Sequence, residues 1–286
     1  MQRISLIVLS FFLFQSCSLN KFVIRQTATL LDYGVVSLYA ETDLILAEQA
    51  LASNIKLLEG MVIGDPGNEH LLLLTAQALS GYAMGFVEDA DPLRAGSLYL
   101  RARDYGLRAL RMNSKFAENE NKTFEQFSGA ITYLDIDDIE GLFWTAFAWA
   151  GWINLSLDNP QALMDLPKVQ VMMQRVLDLD ETFFHGSAHL FFGSVWGMKP
   201  KMFGGDPQKA KEHFEQNLRI TQGKFLLTHI YYAKYFATKT FDEELFDKLI
   251  KHVNDTPAES LPGYEFLNMI AKKKANRLQE MREEWF

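Results

Sequence analysis

The chain has 286 residues and one cysteine, Cys17, a scarcity that removes several chemistries together. No intrachain disulfide or multi-cysteine metal site can form, and an acylated Cys17 would leave no thiol nucleophile. Positive charge is also short, with 28 Lys and Arg against 36 Asp and Glu. That balance argues against nucleic acid, whose phosphates require clustered Lys and Arg. The one basic run, Lys272-Lys273-Lys274, is offset by Glu280, Glu283 and Glu284 and reads as a solvated helix face. Alternating β-branched runs are missing, so no strand is expected. Past the N-terminus no uncharged apolar stretch reaches the ~20 residues of a spanning helix. Residues 141–157 come closest, interrupted by Gly141, Gly151 and Asn154. The P-loop, GxGxxG, HExxH and GxSxG patterns are absent too.

What is present begins at the N-terminus. Arg3 precedes an apolar run, Ile4 to Phe14, that stops at Gln15-Ser16-Cys17. The run is too short to cross a bilayer but fits a cleaved export signal. A small residue directly before a cysteine is what a lipoprotein signal peptidase requires: the thiol is acylated, then the chain is cut ahead of it. Residues 1–16 are therefore expected to be a lipoprotein signal peptide, Cys17 the lipid attachment, and 17–286 one domain facing the periplasm. Phe14 is bulkier than the usual leucine of such a box, and an ordinary signal peptide is the blander alternative.

Nearly every later segment reads as helix. Residues 42–62 place Ala47, Leu51, Ile55, Leu58 and Val62 at the three-and-four spacing of one face. Further helices are expected at about 69–84, 92–112, 122–134, 138–156, 160–179, 181–197, 206–221, 223–238, 240–254 and 263–284. Asn68 suits an N-cap, and Asp91-Pro92, Asn159-Pro160 and Asp206-Pro207 each pair a cap with proline at the first helical position. The fold class is all-α. Gly193, Ala210 and Phe214 occupy slots of a degenerate 34-residue tetratricopeptide register, so cryptic helical hairpins stacked as an α-solenoid with flanking helices are expected. The last helix, about 263–285, carries Tyr264, Phe266, Met269 and Ile270 before Trp285-Phe286, more apolar surface than a free tail warrants. It is a candidate oligomer interface, or else a cap on its own stack.

Polar motifs are weak. His185 and His189, four apart, would share a helix face as zinc ligands do, but no third ligand accompanies them, so no metal is expected. Asp135, Asp137, Asp138 and Glu140 resemble a calcium loop, yet Glu140 stands where an EF-hand needs glycine. An acidic helix N-terminus is the simpler reading. Glu88, Asp89 and Asp91 sit in a turn before a helix, with nothing in sequence to pair them. The aromatics are more telling: Phe143, Trp144, Phe147, Trp149 and Trp152 crowd one helix, and Phe183, Phe184, Phe191, Phe192 and Trp196 another. Buried solenoid helices explain them as core. The alternative is an apolar cavity between the two helices, with Ala146, Ala148, Ala150 and Gly151 leaving the room.

Two stretches resemble a known family. One is Gly81-Tyr82-Ala83-Met84-Gly85-Phe86-Val87-Glu88-Asp89 with Leu98-Tyr99, Arg101-Ala102 and Tyr105 downstream. The other is His189-Leu190-Phe191-Phe192-Gly193 through Phe203-Gly204-Gly205-Asp206-Pro207 to His213-Phe214. Both are similar to the T component associated with tripartite ATP-independent periplasmic (TRAP) transporters. The resemblance implies a non-enzymatic, cofactor-free lipoprotein that forms a homotrimer, docks the solute-binding P protein and conducts or binds a small hydrophobic ligand. On that reading Trp144, Phe147, Trp149, Phe191 and Trp196 line the pore. Gly81, Tyr82, Gly85, Phe86, Phe203, Gly204 and Gly205 form loops at its mouth or at the partner surface. Two other classes remain: a general scaffold lipoprotein of envelope assembly, and a hydrolase or metal enzyme built around His185 and His189.

Overall fold

Helix starts in this chain are written in its caps. Asn68 accepts from the Leu71 amide, Asp91 from Arg94, Asn159 from Gln161, and Asp206 from Gln208 and Lys209, three of the four with proline at the next position. Each satisfies an amide that the first helical turn leaves open. A computed structural model describes residues 21, 23–25, 27, 30–199, 202 and 204–286. The expected signal peptide, Cys17 and Phe203 lie outside the described residues.

Residues 30–39 form α1. Then follow α2 (Leu44–Gly64), α3 (Glu69–Tyr82) prolonged by a π turn (Ala83–Val87), and α4 (Pro92–Leu110). Short α5 (Ser114–Asn119) and α6 (Phe124–Ile131) lead to α7 (Ile139–Asn154), α8 (Pro160–Leu179) and α9 (Phe183–Met198). The C-terminal part comprises α10 (Pro207–Thr221), α11 (Leu227–Tyr232), a second π turn (Ala233–Ala237), α12 (Thr238–Thr240), α13 (Glu243–Asp255), α14 (Glu265–Glu280) and α15 (Arg282–Trp285). The protein is all-α; among the described residues there is no strand.

Helices close in chain order pack together, α3 on α4, α7 on α8 and α9 on α10, and α4 also packs on α7 across the short α5 and α6. Small residues permit the approach. A Cβ on Gly151 would stand 2.6 Å from the Tyr99 ring of α4, and one on Gly193 2.9 Å from Phe214 of α10. The chain then returns on itself, because α14 packs against α11, α13 and α2. The apolar side of α14 is spent within its own chain: Phe266, Leu267, Ile270 and Ala271 are buried, and Trp285 and Phe286 lie against Phe246. The helix expected over 263–284 breaks at Met281, where Arg282 turns to pair with Asp247 at 2.7 Å.

Three departures from the sequence reading have local causes. The turn at Phe184, His185 and Gly186 is left-handed, with φ of 43°, 60° and 65°, so α9 is right-handed only beyond it. Asn217 braces this costly turn by donating to the His185 and Gly186 carbonyls at 2.7 and 2.8 Å, while its own oxygen accepts from Thr228. Residues 81–86, read as a glycine loop, continue α3 into the π turn Ala83–Val87, in which the Glu88 amide reaches the Ala83 carbonyl. Only part of the lysine run is a solvated face, with Lys273 exposed and Lys272 half-buried. Lys274 is 7% exposed, and Lys272 and Lys273 donate to the Val253 and Gly85 carbonyls. The acidic knot behaves as expected of a helix entry, with Asp135 and Asp138 forming a capping box before α7.

Candidate functional site

One face of α7 carries Trp144, Phe147, Gly151 and Asn154, spaced three or four apart, and all four border a cavity of about 450 Å³. α9 supplies the opposite wall with Phe184, Ser187, Phe191 and Ser194 at the same spacing. The rest of the wall includes Val35, Leu38 and Tyr39 of α1, Gln77, Ala78 and Gly81 of α3, and Phe266 and Leu267 of α14, with α2 and α8 contributing Leu51 and Leu166 among others. From Trp144 to Asn154 the helix rises about 15 Å, at ~1.5 Å per residue, so the space is elongated along α7.

Its two ends differ. Toward the N-terminus of α7 the lining is aromatic: the Trp144 and Phe184 ring centroids are 4.8 Å apart, and Trp144 and Phe147 5.7 Å apart. Tyr39 closes this end, its hydroxyl accepting from Gln77 at 2.7 Å. Toward the C-terminus of α7 lie Glu88, Tyr99, Tyr231, Tyr235 and Asn154. Tyr99 donates to Glu88 at 2.6 Å, and Tyr235 to Asn154 at 3.3 Å. Lys274 holds the group from behind, donating to Glu88 at 2.7 Å and Asp89 at 2.8 Å. Burial opposes charge on Asp89 and Lys274 alike, but their attraction outweighs it, lowering the Asp89 pKa and raising that of Lys274. Burial, with the Glu88 carboxylate beside them, pushes the Tyr99 and Tyr231 hydroxyls well above their ordinary value, so both stay protonated.

Of the residues read from sequence as pore lining, Trp144, Phe147 and Phe191 border this cavity and Trp149 and Trp196 do not. Trp149 donates to Asp165 of α8 at 3.1 Å, and Trp196 lies under the Lys209 ammonium, 4.7 Å from the ring centroid. Gly81 borders the cavity; the Phe86 ring lies tilted between those of Tyr82 and Phe266, with centroids 5.9 and 6.0 Å away, and Gly85 lies under Ile270. Gly204 has φ of +83°, a Cβ added there would meet nothing within 4 Å among the described residues, and Gly205 is half-buried. Of the four small residues beside the rings, Ala150 and Gly151 border the space, whereas Ala146 and Ala148 are fully buried. Glu88, Tyr99, Tyr231, Tyr235 and the α1 wall were not legible as lining.

His185 and His189 do not share a face, because the left-handed turn separates them. The His185 ring packs edge-on against Tyr264 at 4.4 Å, and its Nε2 has no partner among the described residues. His189 meets His213, Nδ1 to Nδ1 at 2.9 Å, and Glu181 at 3.3 Å. Among the described residues no three His, Cys, Asp or Glu side chains are grouped to hold a metal. Glu69–Val87 is long and apolar enough to cross a membrane, yet 67% of that window is buried inside the protein, as befits a core helix.

A family model for the TRAP transporter T-component (TAtT) matches residues 40–286. The chain belongs to the TRAP transporter T-component family. A T component is an accessory of a TRAP solute-transport system, which associates this protein with the bacterial envelope and with transport rather than with an enzyme family. No curated protein matches the chain. The family match begins at residue 40, so the α1 wall of the cavity lies outside it.

Proposed function

We propose that this T component is a lipid-anchored, periplasm-facing trimer that docks the solute-binding P protein and holds a small hydrophobic ligand. The observation that carries the ligand is the cavity between α7 and α9, walled by Trp144, Phe147 and Phe191. Its volume of about 450 Å³ falls within the ~300–1,000 Å³ of small-molecule sites. Anchoring rests on Ser16-Cys17 after an apolar run, and several acyl chains on that cysteine would give stable attachment where one would not. Docking draws support from exposed apolar side chains. Met202 is 82% exposed beside Gly204, and Leu30, Tyr33 and Val36 stand out from α1.

Native mass spectrometry of the protein extracted from its own envelope tests all three parts. The reading expects a trimer of acylated chains, a complex with the P protein, and a retained apolar small molecule. A monomer that carries neither P protein nor ligand would overturn it. Cys17→Ser is expected to release the protein from membranes, and persistent attachment would remove the anchor.

A further inference from the structure

Both π turns of the fold deliver residues to the same end of the cavity. Glu88 follows the first, and the second contains Tyr235 and comes directly after Tyr231 and Tyr232. Such bulged turns recur at functional sites because they re-aim side chains that a regular helix would stack elsewhere. Here they set a carboxylate and two tyrosines, Tyr231 and Tyr235, beside Tyr99 of α4 in a chamber whose wall is mainly apolar. The Tyr231 and Tyr235 rings lie parallel, 5.9 Å apart. Among the described residues the Tyr231 hydroxyl has no hydrogen-bond partner, and the residue borders the cavity. Each Glu88 oxygen accepts one bond, from Lys274 or Tyr99, and a carboxylate oxygen has room for a second.

We infer that this end receives the neutral, hydroxyl-bearing head of an amphipathic ligand whose hydrocarbon tail lies along Trp144, Phe147 and Phe191. The inference rests on the apolar-ligand reading above and adds its chemical class. A hydroxyl donates to Glu88 and accepts from Tyr231, using both open positions. An anionic head at this end would stand against the Glu88 carboxylate, with Lys199 at the end of α9 the one cation on the wall among the described residues. A cationic head would find Glu88 already paired and the Lys274 ammonium behind it. A charge buried without a counter-charge is expensive, and a hydroxyl with both partners is not.

The test is displacement of the neutral probe N-phenyl-1-naphthylamine from the protein by dodecanol, dodecanoate and dodecylammonium. Dodecanol is expected to displace at roughly tenfold lower concentration than either charged chain, the worth of one or two hydrogen bonds. Tyr231→Phe is expected to shrink that advantage to less than about threefold. Equal displacement by the three chains, a preference for dodecanoate, or an advantage undiminished in Tyr231→Phe would overturn the head-group inference while leaving an apolar site in place. Failure of the probe to bind the wild-type protein would overturn the apolar-ligand reading and this inference with it. Should Tyr231→Phe not fold, the three-chain series on the wild-type protein decides alone.

Discussion

Along α7, Gly141 and Thr145 meet Leu110 and Gly106 of α4 so closely that added atoms would collide, and Ala148, one turn on, is fully buried. One or two residues away, Trp144, Phe147 and Ala150 border the cavity. α9 repeats the division: Gly193 lies against Phe214, while Phe191 and Ser194 face the open space. Along both helices rings recur beside alanine and glycine. What separates contact from void is helical phase, because a rotation of one residue moves a side chain ~100° around the axis. Gly141 admits a neighbouring helix and Ala150 leaves room at the cavity, while Gly151, at the seam, takes the Tyr99 ring and borders the space as well.

Substitutions break or sharpen this contrast, and the packed face should respond most. Phe214 is fully buried, stacks on Tyr232 at 4.8 Å and covers Gly193. Phe214→Ala is expected to cost ~3–5 kcal/mol in denaturant unfolding. Phe191→Ala, whose ring already borders a void, should cost clearly less. Equal losses would erase the distinction on α9. Next in size, Ala148→Leu should cost ~1–3 kcal/mol through overpacking, and a neutral result would show slack where the packing is tight.

The packed side of α9 also carries a titration. His213 is held down to about 4, first by burial and then by its neighbour His189, with Glu212 pulling the other way; His229, buried under His252, falls to about 3. Both are thus neutral in the fold and bind a proton more readily once unfolded. Their contribution is fully present above pH 6.5 and is lost as pH falls through 6.5 toward 4. Unfolding midpoints measured across that window should decline, and His213→Gln should flatten the decline. A profile unchanged by the variant would remove His213 as its source.

How far the sequence carried this architecture depended on the range of the interactions. Caps at Asn68, Asp91, Asn159 and Asp206 act within three residues, and their helices start where those residues say. The crowding of rings on α7 and α9 also pointed to the walls of one cavity. The polar end did not show, because Lys274 and Glu88 are 186 positions apart and meet only when α14 closes on the π turn after α3. A lysine within a basic run looks solvated until its partners are known. The π turns and the left-handed turn leave no periodic trace either; the latter is imposed by Asn217, 31 and 32 residues downstream of the carbonyls it holds. Trp149 and Trp196 are as aromatic as Trp144, and only phase sends them to α8 and α10.

The central claim is that the space between α7 and α9 is a binding chamber, and Ala150 addresses it most directly. Ala150→Leu puts a larger side chain into the cavity at a half-buried position on its wall. The measurement is thermal stability together with uptake of N-phenyl-1-naphthylamine, for wild type, Ala150→Leu and Ala148→Leu. The account predicts that Ala150→Leu changes stability by less than ~1 kcal/mol and abolishes probe binding, whereas Ala148→Leu destabilises the fold. Strong destabilisation by Ala150→Leu with probe uptake intact would contradict it.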